Sequence, residues 1–223
     1  MCGRFAFYSP SEATAALFGV NATLEVQPRY NIAPTQYVAA IRDDENGERE
    51  LTMLRWGLVP FWAKDPSIGN RMINARAETV AEKPSFRAAY RKRRCLVLAD
   101  GFYEWHTEAG VKVPYFISLA NEQPLAFAGL WENWQSKDSD ESIQSTTVIT
   151  TAANDFMLPL HHRMPIVLEP ESADRWMQGD DEITTSATEN SPQFRAWPVD
   201  RRVNNARNES EDLIEPAGEI RRA

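Results

Sequence analysis

Cys95-Leu96-Val97-Leu98-Ala99 is an unbroken apolar run of strand length, closed by the turn-forming pair Asp100-Gly101. It reads as a strand, and so do residues 113–119, 125–130 and 146–151, each set off by turn-forming or polar segments. Upstream, Tyr37-Val38-Ala39-Ala40-Ile41 reads the same way, and residues 43–50, with Asn46-Gly47 near their centre, form a hairpin turn returning through 51–56. Helices are few. Ser9-Pro10-Ser11-Glu12 is a helix start, with Ser9 as cap, Pro10 at the first helical position and Glu12 completing a capping box. Ala13, Ala16 and Leu17 give its apolar stripe, and Gly19 ends it. Residues 85–93 are a short helix with Phe86, Ala89 and Tyr90 inward, and 170–178 are another, with Gly179 past its end.

Between these elements lie three irregular stretches. Arg29-Tyr30-Asn31-Ile32-Ala33-Pro34-Thr35 is a turn-rich connection, and residues 56–66, dense in Trp, Pro and Gly, are a structured loop of the kind that builds sites. Residues 134–145 are polar and acidic, a variable surface loop. There is no βαβ rhythm, repeat, linker or low-complexity tract. The expected fold is therefore α+β: one domain over residues 1–223, its core at about 2–216 with a short C-terminal tail. A curved, mainly antiparallel, barrel-like sheet with peripheral helices would form it.

The 43% hydrophobic content, spread evenly, fits a soluble globular chain, and no apolar run approaches the ~20 residues of a membrane span. No basic-then-apolar leader opens the sequence, and the only cysteines are Cys2 and Cys95, too few for a disulfide framework or a cysteine metal cluster. A reducing cytoplasm fits, with no membrane partner, no metal, no cofactor and a monomeric state expected. The net charge of −8 argues against nucleic acid until its placement is read. Residues 71–94 hold eight basic side chains against Glu78 and Glu82, a local +6. Such a strip contacts phosphates while the whole protein stays acidic. The plainer reading of Arg91-Lys92-Arg93-Arg94 is a solvated helix end, where cations are favoured anyway.

Chemistry concentrates first at Met1-Cys2-Gly3. Loss of Met1, plausible beside two small residues, would leave a cysteine with a free α-amine next to its thiol. Such a 1,2-aminothiol condenses with an aldehyde through the amine and closes a thiazolidine through the sulfur. Alternatively, the amine serves as a built-in base for the thiol. Cys95, inside its apolar run, is read as a buried bystander.

Three further polar clusters sit among apolar residues. In Ile73-Asn74-Ala75-Arg76-Ala77-Glu78, Asn74 can donate and accept near a reacting carbon and Arg76 can fork onto a phosphate, unless this is only a polar turn with a local ion pair. In Asp100-Gly101-Phe102-Tyr103-Glu104-Trp105, a carboxylate stands between two aromatics, a setting that disfavours the charged form and suits Glu104 to acid–base work. The alternative is an outward strand residue; Asp100 reads as a turn former. In His161-His162-Arg163-Met164-Pro165, adjacent histidines should point apart, so at most one serves a site, and ligand spacing for a metal is lacking. Arginines interleaved with tryptophans suit single-stranded nucleic acid, in which bases stack and phosphates pair.

Six motifs occur in order: Met1-Cys2-Gly3-Arg4-Phe5, Arg29-Tyr30-Asn31-Ile32-Ala33-Pro34, Trp56-Gly57-Leu58-Val59-Pro60, Ile73-Asn74-Ala75-Arg76-Ala77-Glu78, Gly101-Phe102-Tyr103-Glu104-Trp105 and His161-His162-Arg163-Met164-Pro165. Together they resemble the successive motifs of the SRAP family, the SOS-response-associated peptidases, which include abasic-site processing proteins. The resemblance implies self-removal of Met1, binding of single-stranded DNA, and a thiazolidine between Cys2 and the ring-opened deoxyribose of an abasic site. It implies that Asn74 orients the sugar and amine, that Glu104 shuttles protons and that His161 assists ring opening beside the 3′ phosphate. It further implies phosphate contacts by Arg4, Arg76 and Arg163 and base-facing walls at Trp62 and Trp105. One departure stands out: the residue after the motif's His is commonly acidic or Asn, and here it is His162, which bears on the hydrogen bonding of Arg163 and on whether His162 shares the role of His161. Two other readings fit parts of the pattern. Glutamine amidotransferases of the N-terminal nucleophile type also begin Met-Cys-Gly, and a non-covalent reader of modified bases would use the same Trp and Arg side chains.

Overall fold

The computed structural model describes residues 2–22, 24–44 and 46–223. In chain order the strands are β1 (Phe5–Phe7), β2 (Arg29–Ile32), β3 (Tyr37–Asp43), β4 (Arg49–Trp56), β5 (Asn74–Arg76), β6 (Arg94–Ala99) and β7 (Gly101–Glu108). They continue with β8 (Val111–Leu119), β9 (Leu125–Gln135), β10 (Ser142–Ala152), β11 (Arg163–Pro165), β12 (Val167–Leu168), β13 (Phe194–Pro198) and β14 (Arg221–Arg222). The helices are α1 (Ser11–Leu17), α2 (Arg87–Lys92), α3 (Pro170–Met177) and α4 (Glu182–Thr185).

Five strands close on themselves in the order β10-β4-β3-β6-β9-β10, a small barrel. Every seam is antiparallel except β4–β10, which is parallel through Ser145↔Arg55 and Thr146↔Trp56. The apolar run of β6 lies between β3 and β9 and is fully buried from Cys95 to Ala99. Burial on both faces is the reason it shows no polar alternation. Cys95 faces Gly129 across the β6–β9 seam, and a Cβ on that glycine would stand 2.9 Å from the sulfur. Backbone without a side chain makes room for the thiol.

A second sheet, in the order β14-β13-β8-β7-β1-β2, packs on the barrel. Its β1 carries Phe5, whose ring meets Trp56 at 5.0 Å and Phe127 at 5.5 Å, both edge-on. The α+β, barrel-like architecture is thus as expected, and no helix among the described residues is long and apolar enough to cross a membrane.

Several local readings change. Residues 29–32 pair with β1 as a strand instead of forming a turn. The predicted loop at 134–145 is mostly hairpin: β9 and β10 pair from Ser142↔Gln135 onward, and Trp134 is buried, its indole donating to the Ala63 carbonyl at 2.7 Å. Ser9 does not cap α1; its hydroxyl donates to Asp100 at 2.5 Å, and the same carboxylate accepts the backbone N–H groups of Tyr8 and Ser9. Asp100 is therefore a buried tie between β1 and the β6–β7 turn, more than a turn former.

The loop after β4 is pinched at its base. Gly57, at φ +128°, and Gly69 pack backbone against backbone, and a Cβ on either would come 2.5 Å from the other's carbonyl oxygen. Gly69→Ala should therefore lower stability by ~1–3 kcal/mol through overpacking, which a chain of this size reads as a Tm lower by about 2–4 °C per kcal/mol. Thermal unfolding of the variant at the wild-type Tm would contradict the close approach.

Candidate functional site

Cys2 is fully buried immediately ahead of β1. The expected loss of Met1 concerns a residue outside the described ones. From β5, Asn74 donates its side-chain N–H to the Cys2 carbonyl at 2.7 Å. β5 is only three residues long and is held by parallel pairing with β10, Asn74 opposite Val148 and Arg76 opposite Thr150. Strand alternation then sends Ala75 into the core and puts Asn74 and Arg76 on one side. Arg76 is exposed. The Oδ1 of Asn74 is buried with no hydrogen-bond partner among the described residues, an acceptor in reserve beside Cys2.

Glu104 comes from the middle of β7 and is 4% exposed. Its aromatic neighbours do not sandwich it as the sequence suggested. Successive strand residues face opposite ways, so Tyr103 and Trp105 join a separate cluster with Ala6, Phe116 and Trp197, while Glu104 turns toward Cys2. Burial, and next the charge of Glu104, push the Cys2 thiol well above its ordinary range. The sulfur is held as a neutral thiol.

Glu104 also acts on His161. Burial holds the His161 imidazole below its ordinary pKa, and the nearby carboxylate partly opposes that shift. The backbone N–H of Arg163 donates to His161 Nδ1 at 2.9 Å, which leaves Nε2 carrying the proton in the neutral ring. The Arg163 carbonyl lies 3.1 Å from the same Nδ1 and accepts from it when the ring is charged. The two histidines do not point apart, because the chain before β11 is irregular there: their rings stack at 4.3 Å and 25°. His162 is the exposed outer ring.

The structure therefore gathers Cys2, Asn74, Glu104 and His161 in one place. The other expected residues divide. Trp62 is 45% exposed in the loop after β4, and Arg76 is open to solvent. Arg163 is only 9% exposed; its guanidinium forks onto Glu78 and donates to the Thr150 carbonyl at 2.7 Å. Glu78 thus pairs across the site with Arg163. Arg4 donates to Asn31 Oδ1 at 2.6 Å and to the Val203 carbonyl at 2.8 Å, with its guanidinium 5.8 Å from the centre of the Trp105 ring. Trp105 in turn donates to Asn204.

Sequence reasoning missed Asn31, Thr150 and Phe61. Asn31 is fully buried and donates to the carbonyls of Val203, Asn205 and Asn208, binding the segment after β13 to Arg4. An Asn inside Tyr30-Asn31-Ile32 was the available signal, hidden by the turn reading. Phe61, 55% exposed, signalled itself only by standing beside Trp62.

A closed small barrel with a second sheet thus sets the buried Cys2 beside an Asn, a Glu and a His, a group of polar side chains around one thiol. The chain belongs to the SOS response associated peptidase (SRAP) family, whose model matches residues 1–206. It is 39% identical to the abasic site processing protein YoqW of Bacillus subtilis, over 96% of this chain and 99% of that protein. It is 32% identical to the abasic site processing protein YedK of Escherichia coli, over 97% and 100%. The crystal structure of a Bacteroides thetaiotaomicron protein superposes with a TM-score of 0.84 at 25% identity, covering 97% of this chain and all of that one.

The coupling of Glu104 to His161 has a direct readout. Followed by NMR of the ring Cε1–H, His161 should titrate below the usual imidazole value of about 6.5, and Glu104→Gln should lower the midpoint further, since a neutral amide no longer favours the imidazolium. An unmoved midpoint would separate the two residues.

Proposed function

We propose that this chain processes abasic sites in single-stranded DNA by covalent capture. Met1 is removed, by the chain itself, and Cys2 becomes a free aminothiol. The α-amine, with a reference pKa of about 7.7–8.0, keeps a neutral fraction near pH 7. It attacks C1′ of the open-chain deoxyribose, a carbinolamine forms, and water leaves to give an imine. The thiol then adds to the same carbon, its proton passing to the nitrogen. One aldehyde and one aminothiol thus become one thiazolidine and one water, with no oxidant or cofactor. Removing the imine removes the species that drives β-elimination, so the strand is shielded instead of cut.

The observation that carries this reading is that Asn74 holds the Cys2 carbonyl while the charge of Glu104 acts on both the Cys2 thiol and the His161 ring. Asn74 orients the terminal residue, its spare Oδ1 ready to accept from the amine that Met1 uncovers. Glu104, within reach of both the sulfur and the imidazole in electrostatic terms, moves protons as water leaves and the ring closes. His161, its proton on Nε2, assists opening of the sugar ring. Arg76 contacts phosphate, and Trp62 and Trp105 offer faces to bases. Arg4 and Arg163, largely committed inside the protein, contribute field and position to the phosphates. The abasic processing named for the YoqW and YedK relatives supports the substrate.

Purified protein mixed with a single-stranded oligonucleotide bearing one abasic site should give a denaturation-resistant complex whose intact mass shows Met1 absent, one strand added and one water lost. Cys2→Ala should give none, and a surviving adduct in that variant would sink the proposal. Glu104→Ala should slow crosslinking by ~10²-fold or more, the usual share of a positioned acid–base group. Arg76→Ala should weaken binding and make the slope of log K against log salt shallower by about 0.7, one phosphate's worth on a single strand. An unchanged slope removes Arg76 from the interface.

A further inference from the structure

Away from Cys2, beside the loop after β4, an open groove of about 670 Å³ runs between Phe61 and α2, lined by Phe61, Arg87, Arg91, Lys92, Arg93 and Glu132. Its charge is one-sided. Arg93 pairs with Glu132 at 2.8 Å, which cancels the one carboxylate of the lining. Arg87, Arg91 and Lys92 are exposed, and their side chains make no ion pair or hydrogen bond among the described residues. Arg87 and Arg91 stand four residues apart on α2, so their guanidinium groups share one helix face. Asp43, which lines the neighbouring pocket with Arg91 and Lys92, is paired with Arg49, so the three cations repel one another and an anion with several charges in a row relieves that repulsion. Opposite them, Phe61 exposes more than half of its surface, one residue from Trp62.

From this arrangement we infer that the groove is a second subsite for the same strand: the flank of a single-stranded nucleic acid leaves Trp62, stacks a base on Phe61 and lays its phosphates along Arg87, Arg91 and Lys92. The inference rests on the proposed function for the identity of the strand, but not on its covalent chemistry. An apolar ring facing a row of cations is the combination that holds single strands without reading sequence, because every base has a face and every nucleotide a phosphate. Continuity with Trp62 favours the same strand over an unrelated acidic partner. The groove also explains how a chain of net charge −8 approaches DNA, since the local field at α2 is positive.

The test uses undamaged oligonucleotides of about 5 and about 15 nucleotides, bracketing the ~4–16-nucleotide span of compact single-strand sites, with binding read by fluorescence anisotropy at several salt concentrations. Wild type should bind the longer strand more tightly and with a steeper salt slope. The double variant Arg87→Ala/Arg91→Ala should lose about tenfold or more on the longer strand and flatten its slope by about 1.4, two phosphates' worth, while binding the shorter strand as wild type does. Phe61→Ala should lose about tenfold on the longer strand through stacking alone, with the slope kept. Equal affinity of the variants and wild type on the longer strand, or an equal loss on both lengths, overturns the inference. So does binding of poly-glutamate that the double variant loses while its DNA binding is intact, which would assign the groove to an acidic polypeptide. Crosslinking of a short abasic oligonucleotide separates the two levels. If wild type forms no adduct but the length dependence holds, the groove stands and the covalent proposal falls. If the adduct forms and the variants bind long strands normally, the groove alone falls.

Discussion

The site depends on where Phe5 is buried. Chain termini ordinarily fray, because few contacts oppose their conformational entropy. Here the Phe5 ring is wedged edge-on against Trp56 of β4 and Phe127 of β9, inside the barrel core. Burying such a side chain is worth ~1.5–3 kcal/mol, with about 0.5–1.5 more for each well-oriented aromatic pair. Cys2 lies three residues earlier, so at most about 10 Å of extended chain separates it from that anchor. Ordinary apolar packing thus holds Cys2 in place, and Asp100, which ties down Tyr8 and Ser9, secures the other end of β1.

What meets the terminus is arranged mainly by one strand. β10 closes the barrel through β4 and β9, and its far half carries β5 and β11 on its edges, with Thr150 paired to Arg76 on one side and to Pro165 on the other. Asn74 and His161 therefore take their places from a common scaffold, although 87 residues separate them in the chain. Arg163 welds the two edges: its guanidinium bridges Glu78 beyond β5 and Thr150 of β10, while its backbone N–H holds the His161 ring. A residue whose motif implies a phosphate contact thereby acts first as a brace, and its backbone N–H fixes the geometry of His161.

How much of this was legible follows from the range of the interactions. Strands such as β3, β6 and the start of β9 declared themselves because local composition decides them, and the helices at 87–92 and 170–177 did so through their apolar spacing. The closure of the barrel did not, because its parallel β4–β10 seam joins residues about 90 positions apart and leaves no local trace. Ser9 carried the signature of a helix cap, but Asp100, distant in sequence, offered a charged acceptor and took the hydroxyl. The aromatic setting assigned to Glu104 failed on strand alternation, because residues 101–108 form a strand that the sequence reading does not identify. The residue types at the site were visible; their commitments were not. Arg4 and Arg163 looked the same as Arg76 in the sequence, and only tertiary partners such as Asn31, Val203 and Thr150 distinguish a held guanidinium from an open one.

The state of the Cys2 sulfur bears on which reaction fits. A nucleophile that opens the attack on an amide, as in the amidotransferases that share the Met-Cys-Gly start, needs thiolate character. Burial and the neighbouring carboxylate both work against that here. The proposed thiazolidine formation makes no such demand at the start, because there the amine strikes first and the sulfur follows only when an electrophilic imine carbon stands within the same residue. Ring closure is then intramolecular, where proximity is worth as much as ~7–11 kcal/mol of barrier in favourable systems. The thiol proton leaves as the bond forms, and in the proposed reaction Glu104 relays it to the nitrogen. A sulfur held neutral until that moment is also protected from oxidation and from stray electrophiles, since the thiolate is the reactive form. In the proposed reaction the same carboxylate that suppresses the thiolate in the resting site would serve the step in which the sulfur is finally used, and the environment of Cys2 favours the order amine then thiol.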